Sequence, residues 1–263
     1  MKRVDEFVAI GFFLFVMCGV AAYFWRVSTR GRMRFARTDS VGDGAVVKQG
    51  VYEMGYWWMQ PIARGLVKAG FTANGVTWLS AGCWLACAIL VGFGWFGFAC
   101  VAGSIAAFSD TLDGLVARLR NTSSEAGEIL DGTVDRYGDV MVFGGLVVLY
   151  SGVVAMQVLA LCALAGAMGV SHASSKSEQL NIKVSNGFMR RPERCVTLLV
   201  GIGLSGITVP TLENSLHWPH VIGIPLIVGL TLIAVIANAS AVYRLRQLAR
   251  AVRAAEAVKM IDS

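Results

Sequence analysis

The fold class predicted for this sequence is all-α, a polytopic membrane helix bundle. Three observations predict it. The 263 residues are 56% hydrophobic and only 15% charged, with a mean hydropathy of +0.61, well outside the range of soluble domains. The apolar residues gather into seven runs parted by short polar or charged stretches, most of them long enough to span a bilayer. Thirty glycines suit close helix–helix approach in lipid. The chain therefore reads as a six-helix core preceded by an extra N-terminal transmembrane anchor. It shows no repeat, no low-complexity tract and no soluble domain of useful size.

The first run is Phe7 to Trp25. Lys2 and Arg3 precede it, as in a signal peptide, but Tyr23, Phe24, Trp25 and then Arg26 stand where a small-residue cleavage site belongs. A retained anchor is expected. Arg26, Arg30, Arg32, Arg34 and Arg37 follow it and outweigh Lys2 and Arg3, which puts the N-terminus outside. The stretch 27–50 is polar, with Gly31, Gly42, Gly44 and Gly50, and completes an anchor-plus-linker unit over 1–50. The next unit, 51–71, carries Trp57, Trp58, Met59 and Ile62 beside Arg64 and Lys68, a composition suited to a helix lying in the membrane interface.

The core covers 72–263. Its spans are expected at about Val76–Trp95, Phe96–Leu119, Glu128–Tyr150, Val153–Ser174, Cys195–Val209 and Val221–Tyr243. Turns are marked by Gly92–Gly94, Ser151–Gly152 and Pro210 through Pro219. Short uncharged connections alternate with charged ones, Arg118–Glu128 and Ser175–Arg194. Alternation gathers the charged connections and the basic C-terminus (Arg244, Arg246, Arg250, Arg253, Lys259) on the cytoplasmic side. The net charge of +6 is thus read as membrane topology. No aromatic residues interleave the C-terminal basic run, as a single-strand site would prefer, so no nucleic-acid partner is expected.

The six cysteines lie in or beside apolar segments. Cys83 and Cys87 are one helical turn apart, but no second ligand pair accompanies them, so all six read as small buried hydrophobes. His217 and His220 flank Pro219 with only Glu213 nearby, which does not make a metal site. No Ser-His-Asp or Cys-His arrangement is readable.

One stretch carries chemistry: SDTLDGLVARLRNTSSEAGEILDGTVDR. Asp110, Asp113, Gly114 and Ala117 fall on one stripe of a helix. Gly127, Asp131 and Asp135 fall on one stripe of a second. Carboxylates at membrane depth are expensive and usually functional. Two facing stripes would cluster four of them, and such a cluster repels itself unless cations fill it. Hard divalent ions with oxygen ligands, Mg²⁺ above all, are the natural filling. The competing reading is a salt-bridge network with Arg118, Arg120 and Arg136.

The spacing D-x2-D-G-x2-A-R-x8-G-x3-D-x3-D, from Asp110 to Asp135, resembles the signature of the CDP-alcohol phosphatidyltransferase family, integral membrane enzymes of phospholipid synthesis. The resemblance covers about residues 72 to 247. It implies two Mg²⁺ (or Mn²⁺) ions on Asp110, Asp113 and Asp131, with Asp135 as a further ligand and as general base on the acceptor hydroxyl. It implies a CDP-linked donor held at Gly114, Ala117, Arg118 and Gly127. Gly114 and Ala117 would leave clearance for the nucleotide, and Arg118 can set a fork on phosphate. The segment FTANGVT resembles a T-P-N-x-x-T pattern of the family, with Ala73 in place of Pro. Thr77 and Asn74 are therefore donor-site candidates; Asn74 is equally a candidate helix cap.

Inositol-phosphate-using members resemble the second basic stretch, with a pattern like Y-x-R-A-K-A-E followed by an E-R pair. Here Lys176, Glu178, Glu193 and Arg194 match, while His172 and Ser174 replace the aromatic and the arginine. Lys176, Arg191 and Arg194 are the acceptor-site candidates. For Arg194 a structural ion pair with Glu193 or Glu178 is the competing role. Pro192 fits the first turn of the helix that follows. The activity implied is transfer of a phosphatidyl group from CDP-diacylglycerol to a polyol or polyol phosphate, inositol-type ahead of glycerol 3-phosphate, with release of CMP. Its setting would be a bacterial inner membrane, with the active site on the cytoplasmic side and a homodimer as the usual assembly. Transfer of a CDP-linked headgroup onto diacylglycerol is the alternative. A divalent-cation transporter would need polar residues through the full bilayer depth, and the outer halves of these helices are apolar.

Overall fold

The computed structural model describes residues 2–31, 49–182, 188–213 and 223–261. The expected linker residues Arg32, Arg34 and Arg37, with Lys183, His217, Pro219 and His220, lie outside them. The described residues form eight α-helices and no strand: α1 (Lys2–Arg30), α2 (Gln49–Lys68), α3 (Ala73–Gly92), α4 (Phe96–Leu119), α5 (Glu125–Leu149), α6 (Val154–Gln179), α7 (Arg191–Thr208) and α8 (Ile224–Ile261). A π-helical turn, Val209–Glu213, follows α7.

Six of these helices, α1, α3, α4, α6, α7 and α8, are long and apolar enough to cross a membrane, so the protein is a multi-pass membrane protein. α5 has the length, 25 residues, but carries Asp131, Asp135, Arg136 and Asp139 along its length.

α3 to α8 close a ring in the order α3, α4, α7, α8, α6, α5 and back to α3. Glycines set the close approaches, as expected where no hydrophobic force drives helices together. A Cβ on Gly145 would fall on the backbone carbonyl of Ala88, and one on Gly138 would meet the Trp84 indole. The half of the ring remote from the aspartates is filled by Val91, Phe96, Leu146, Ile202 and Leu226, all fully buried. Gly94 (φ 73°) and Gly152 (φ 88°) take left-handed conformations at the two tight turns of that end.

The helix starts are locally encoded. Thr72, not Asn74, caps α3, accepting from the Gly75 amide at 3.1 Å. Asn74 lies inside the first turn, so its cap role is corrected. Ser124 caps α5, accepting from the Gly127 amide at 3.1 Å. α7 begins with Pro192 in its first turn, and Glu193 accepts from the Arg190 amide at 2.9 Å. Three helices outrun their apolar stretches. α6 reaches Gln179, α7 begins four residues before Cys195, and α8 continues far beyond Tyr243 to Ile261. A helix is bounded by its caps, and hydropathy marks only its lipid-facing part.

α1 and α2 pack outside the ring, α1 on α4 and α7, α2 on α4. The N-cap residue of α4, Trp95, offers no side-chain cap. Asp5 of α1 supplies one, accepting from the Phe98 amide at 3.0 Å. At the other end of α1, Tyr23 donates to Glu53 at 3.4 Å, and the Arg26 guanidinium sits 5.7 Å over the Trp57 ring. α2 buries Met59 and Ala63 against Val76, Leu112, Leu115 and Val116. All six cysteines are free. Cys87 and Cys100 are buried, but Cys18 and Cys162 are exposed on their helices, a correction to the expectation that all would be internal.

Candidate active site

α4 and α5 are not ring neighbours. They face one another across the interior at one end of the bundle, and this places their two acidic stripes opposite each other. Carboxylate oxygens of Asp110, Asp131 and Asp135 converge to within 4.8 Å of one another. Asp113, one turn beyond Asp110, is buried and accepts from the Thr77 hydroxyl at 2.7 Å. Thr77 therefore orients the fourth carboxylate. Asp131 Oδ1 is buried without a hydrogen-bond partner. Convergent carboxylates with an unsatisfied buried oxygen fit a hard divalent cation.

The expected competing partners of this cluster do other work. Arg120 donates to the carbonyls of Gly70 and Phe71 at 3.2 and 2.6 Å. Arg136 donates to Gly132 O and to Ser175, both at 2.6 Å. Arg118 is exposed and folds back along its own helix over Gly114. The cation that meets the carboxylates comes from α7: Arg191 Nη1 lies 2.5 Å from Asp110 and Nη2 2.6 Å from Asp135. It offsets their repulsion and ties α7 to α4 and α5. A Cβ on Gly114 would meet only the Arg118 guanidinium, and one on Gly127 would meet Ser124 and, more loosely, Asn74 Oδ1. Asn74, Gly114, Ala117 and Gly127 thus lie around the same end of α3, α4 and α5.

Beside Asp135 opens a cavity of about 320 Å³. Arg136, Arg190, Arg191, Arg194 and Arg244 line it, with Asp135, Asp139, Ser171 and Ser174 among the other walls. Arg194 is only 3% exposed. Its partner is neither Glu193 nor Glu178 but Asp139, at 3.1 Å, with Ser171 at 3.4 Å. Glu193 caps α7. Ser174, where the resembled pattern has arginine, accepts from Arg244 Nη1 at 2.8 Å. A guanidinium of α8 thus lies against the α6 position where that pattern has arginine. Lys176 is exposed, donates to Gln179 at 3.1 Å and is not among the cavity-lining residues.

Sequence reasoning missed Asp139 and Arg244. Asp139 had a signal, since it extends the Asp131–Asp135 spacing by one further turn. Arg244 had none, because nothing local separates it from the other arginines of α8. Met189, buried with φ 64°, holds a left-handed conformation that favours glycine. It lies just before Arg190 and Arg191, and its carbonyl accepts from Arg194 at 3.4 Å.

The chain is similar to several known proteins. Phosphatidylinositol phosphate synthase of Corynebacterium glutamicum is 32% identical over 165 residues, covering 61% of this chain and 75% of that protein. Phosphatidylinositol phosphate synthase of Mycobacterium tuberculosis (strain H37Rv) is 34% identical over 191 residues, covering 70% and 82%. The crystal structure of the M. tuberculosis enzyme with CDP-DAG bound superposes with a TM-score of 0.61 at 31% identity, covering 72% of this chain and 92% of that one. Its complex with manganese and citrate gives a TM-score of 0.62 at 31% identity, covering 72% and 87%. The family match runs over residues 71–233, from the cap of α3 into α8 and so through both acidic helices. The chain is an enzyme of the CDP-alcohol phosphatidyltransferase family.

Proposed function

We propose that this enzyme transfers the phosphatidyl group of CDP-diacylglycerol to a hydroxyl of an inositol phosphate, releasing CMP. The observation that carries the acceptor is the arginine-lined cavity opening directly beside Asp135. Five guanidinium groups around about 320 Å³ suit a small polyol bearing a dianionic phosphate far better than a neutral polyol. The relatives named phosphatidylinositol phosphate synthase support the same acceptor, and the relative holding CDP-DAG supports the donor polarity over headgroup transfer.

Asp110, Asp113 and Asp131, with Asp135, would hold two divalent ions, Mg²⁺ or Mn²⁺. Bound there, the ions neutralise pyrophosphate charge and ease departure of CMP. Asp135 borders both the cluster and the cavity, so it is placed to take the proton of the acceptor hydroxyl. The new bond joins the acceptor oxygen to the phosphatidyl phosphorus, and the bond that breaks links that phosphorus to CMP. Arg194 and Arg244 orient the acceptor phosphate; Arg191, bridging Asp110 and Asp135, sits between donor and acceptor. Arg26, Arg30, Arg118, Arg120, Arg246 and Arg250 all lie toward the end of the bundle that carries the aspartates, which supports a cytoplasmic active site.

The test is CMP release by the purified full-length protein with CDP-diacylglycerol and Mg²⁺, against inositol phosphate, free inositol and glycerol 3-phosphate. Turnover with inositol phosphate far above the other two is expected. Equal or better turnover with free inositol would overturn the acceptor assignment.

A further inference from the structure

The family match begins at residue 71, so α1 lies outside it. A second cavity, of about 420 Å³, opens under α1. Its polar end is formed by Asp110 and Arg191, and from there it runs between α4 and α7 past Cys100 and Leu199. Met54 and Met59 of α2 close one side. Phe12, Phe13 and Val16 of α1 close another.

The inward stripe of α1 explains how that space arises. Ala9, Phe12, Phe13, Val16, Gly19 and Tyr23 share one face of the helix. The stripe is packed at both ends. Ala9 is 0% and Tyr23 6% exposed, and Gly19 has no side chain where the Trp58 ring lies. In the middle, Val16 remains 36% exposed although it lines the cavity. Fixed above by Asp5 on Phe98 and below by Tyr23 on Glu53, the helix sets Phe13 against Gly203 of α7 and leaves the space beside Val16 open.

We propose that α1 is one wall of the channel that takes an acyl chain of the lipid donor, and that Phe12, Phe13 and Val16 determine which chains the enzyme accepts. This rests on the CDP-diacylglycerol reading. A donor whose pyrophosphate lies at the aspartates must send its diacylglycerol away from them, and the apolar cavity starts at Asp110. Its volume lies within the range of ligand pockets. Side chains at i, i+1 and i+4 on a doubly anchored helix form a wall whose position is fixed, so the space it leaves selects by length and shape. Cavities of this kind discriminate by roughly 10- to 200-fold per methylene or equivalent change.

The experiment uses the full-length protein in nanodiscs with CDP-dioctanoylglycerol, CDP-dipalmitoylglycerol and CDP-dioleoylglycerol, reading the ratio of kcat/KM between long- and short-chain donors. Val16→Trp narrows the channel and is expected to lower the long-to-short ratio by about tenfold or more, with the acceptor KM unchanged. Phe13→Ala widens it and is expected to shift the preference among the two long chains. Leu14→Trp, on the lipid side of α1 where Leu14 is 61% exposed, is expected to leave both ratios at their wild-type values. Ratios unaltered in folded Val16→Trp and Phe13→Ala overturn the proposal. If either variant fails to fold, labelling of the wild type by CDP-diacylglycerol with a photoreactive acyl terminus decides: label on the peptide holding residues 12–16 supports the wall, and its absence there overturns it. A wild type that turns over none of the three donors would instead overturn the donor reading.

Discussion

Arg194→Ala separates the structural pairing of one buried guanidinium from the acceptor contact proposed for it. Nη2 holds Asp139 at 3.1 Å and Ser171 at 3.4 Å, while Nε is buried without a partner in a residue that lines the cavity beside Asp135. Truncation leaves Asp139 without its cation. Breaking a buried pair costs about 3–5 kcal/mol; the Asp139 side chain is 12% exposed and borders a polar cavity, so the lower end, about 3 kcal/mol, applies. A charge-assisted bond to the acceptor phosphate contributes about 1.5–3 kcal/mol, on the order of 10- to 100-fold in acceptor kcat/KM. The two losses come apart in the double variant Arg194→Ala/Asp139→Ala. Removing the stranded carboxylate should restore most of the stability and none of the acceptor affinity. Thermal unfolding can be followed with a thiol-reactive dye, since Cys87 and Cys100 are 0% and 1% exposed and react only on opening. CMP release against acceptor concentration gives the other half. A double variant with wild-type acceptor KM, or a donor KM rising in step with the acceptor KM in Arg194→Ala, would refute the acceptor contact.

Asp135→Asn should cut turnover on the order of 10²–10⁴-fold while calorimetric titration still shows donor binding; Asp110→Asn and Asp113→Asn should weaken donor and metal binding together. EDTA should abolish CMP release and added Mg²⁺ restore it, and full turnover in chelator would remove the metal site from the mechanism. Arg244→Ala should raise the acceptor KM at unchanged donor KM, since the residue lines the cavity and donates to Ser174; an unaltered acceptor KM would count against the role given to α8. Gly145→Leu should destabilise by at least about 1–3 kcal/mol, because the added Cβ meets the Ala88 backbone, read as a lower midpoint in the dye assay.

The ring and its chemistry were differently legible. Phe96–Leu119 matches α4 residue for residue, because turn glycine and charge bound it on both sides. The aspartates were readable because an i, i+3 or i, i+4 carboxylate spacing inside apolar helices has few structural uses. Arg191 was placed beside the site by its charge at a helix start, but its two carboxylate partners lie on α4 and α5, and no periodicity records a contact between distant helices. The same limit hid Arg244, which reaches Ser174 across 70 positions. Asn74 lost the cap to Thr72 because the helix begins two residues earlier than the stronger capping residue suggests. The ends of α6, α7 and α8 were misjudged wherever charged residues continue a helix beyond its apolar part.

The bond between Asp5 and Phe98 joins residues 93 positions apart. During synthesis at about 5–20 residues per second, α1, which ends at Arg30, is complete for on the order of 3–14 s before Phe98 exists. For that interval α2, through Glu53 and Trp58, is the one neighbour described above that is already made. The sequence of α1 suits the wait: it is the most hydropathic and the least buried of the six spans. Its two acids, Asp5 and Glu6, sit near its start, where water can solvate Asp5 until the Phe98 amide arrives. A first helix that relied on the ring for its insertion could not be made in this order, so the apolar uniformity of α1 answers to the timetable of translation as much as to the finished structure.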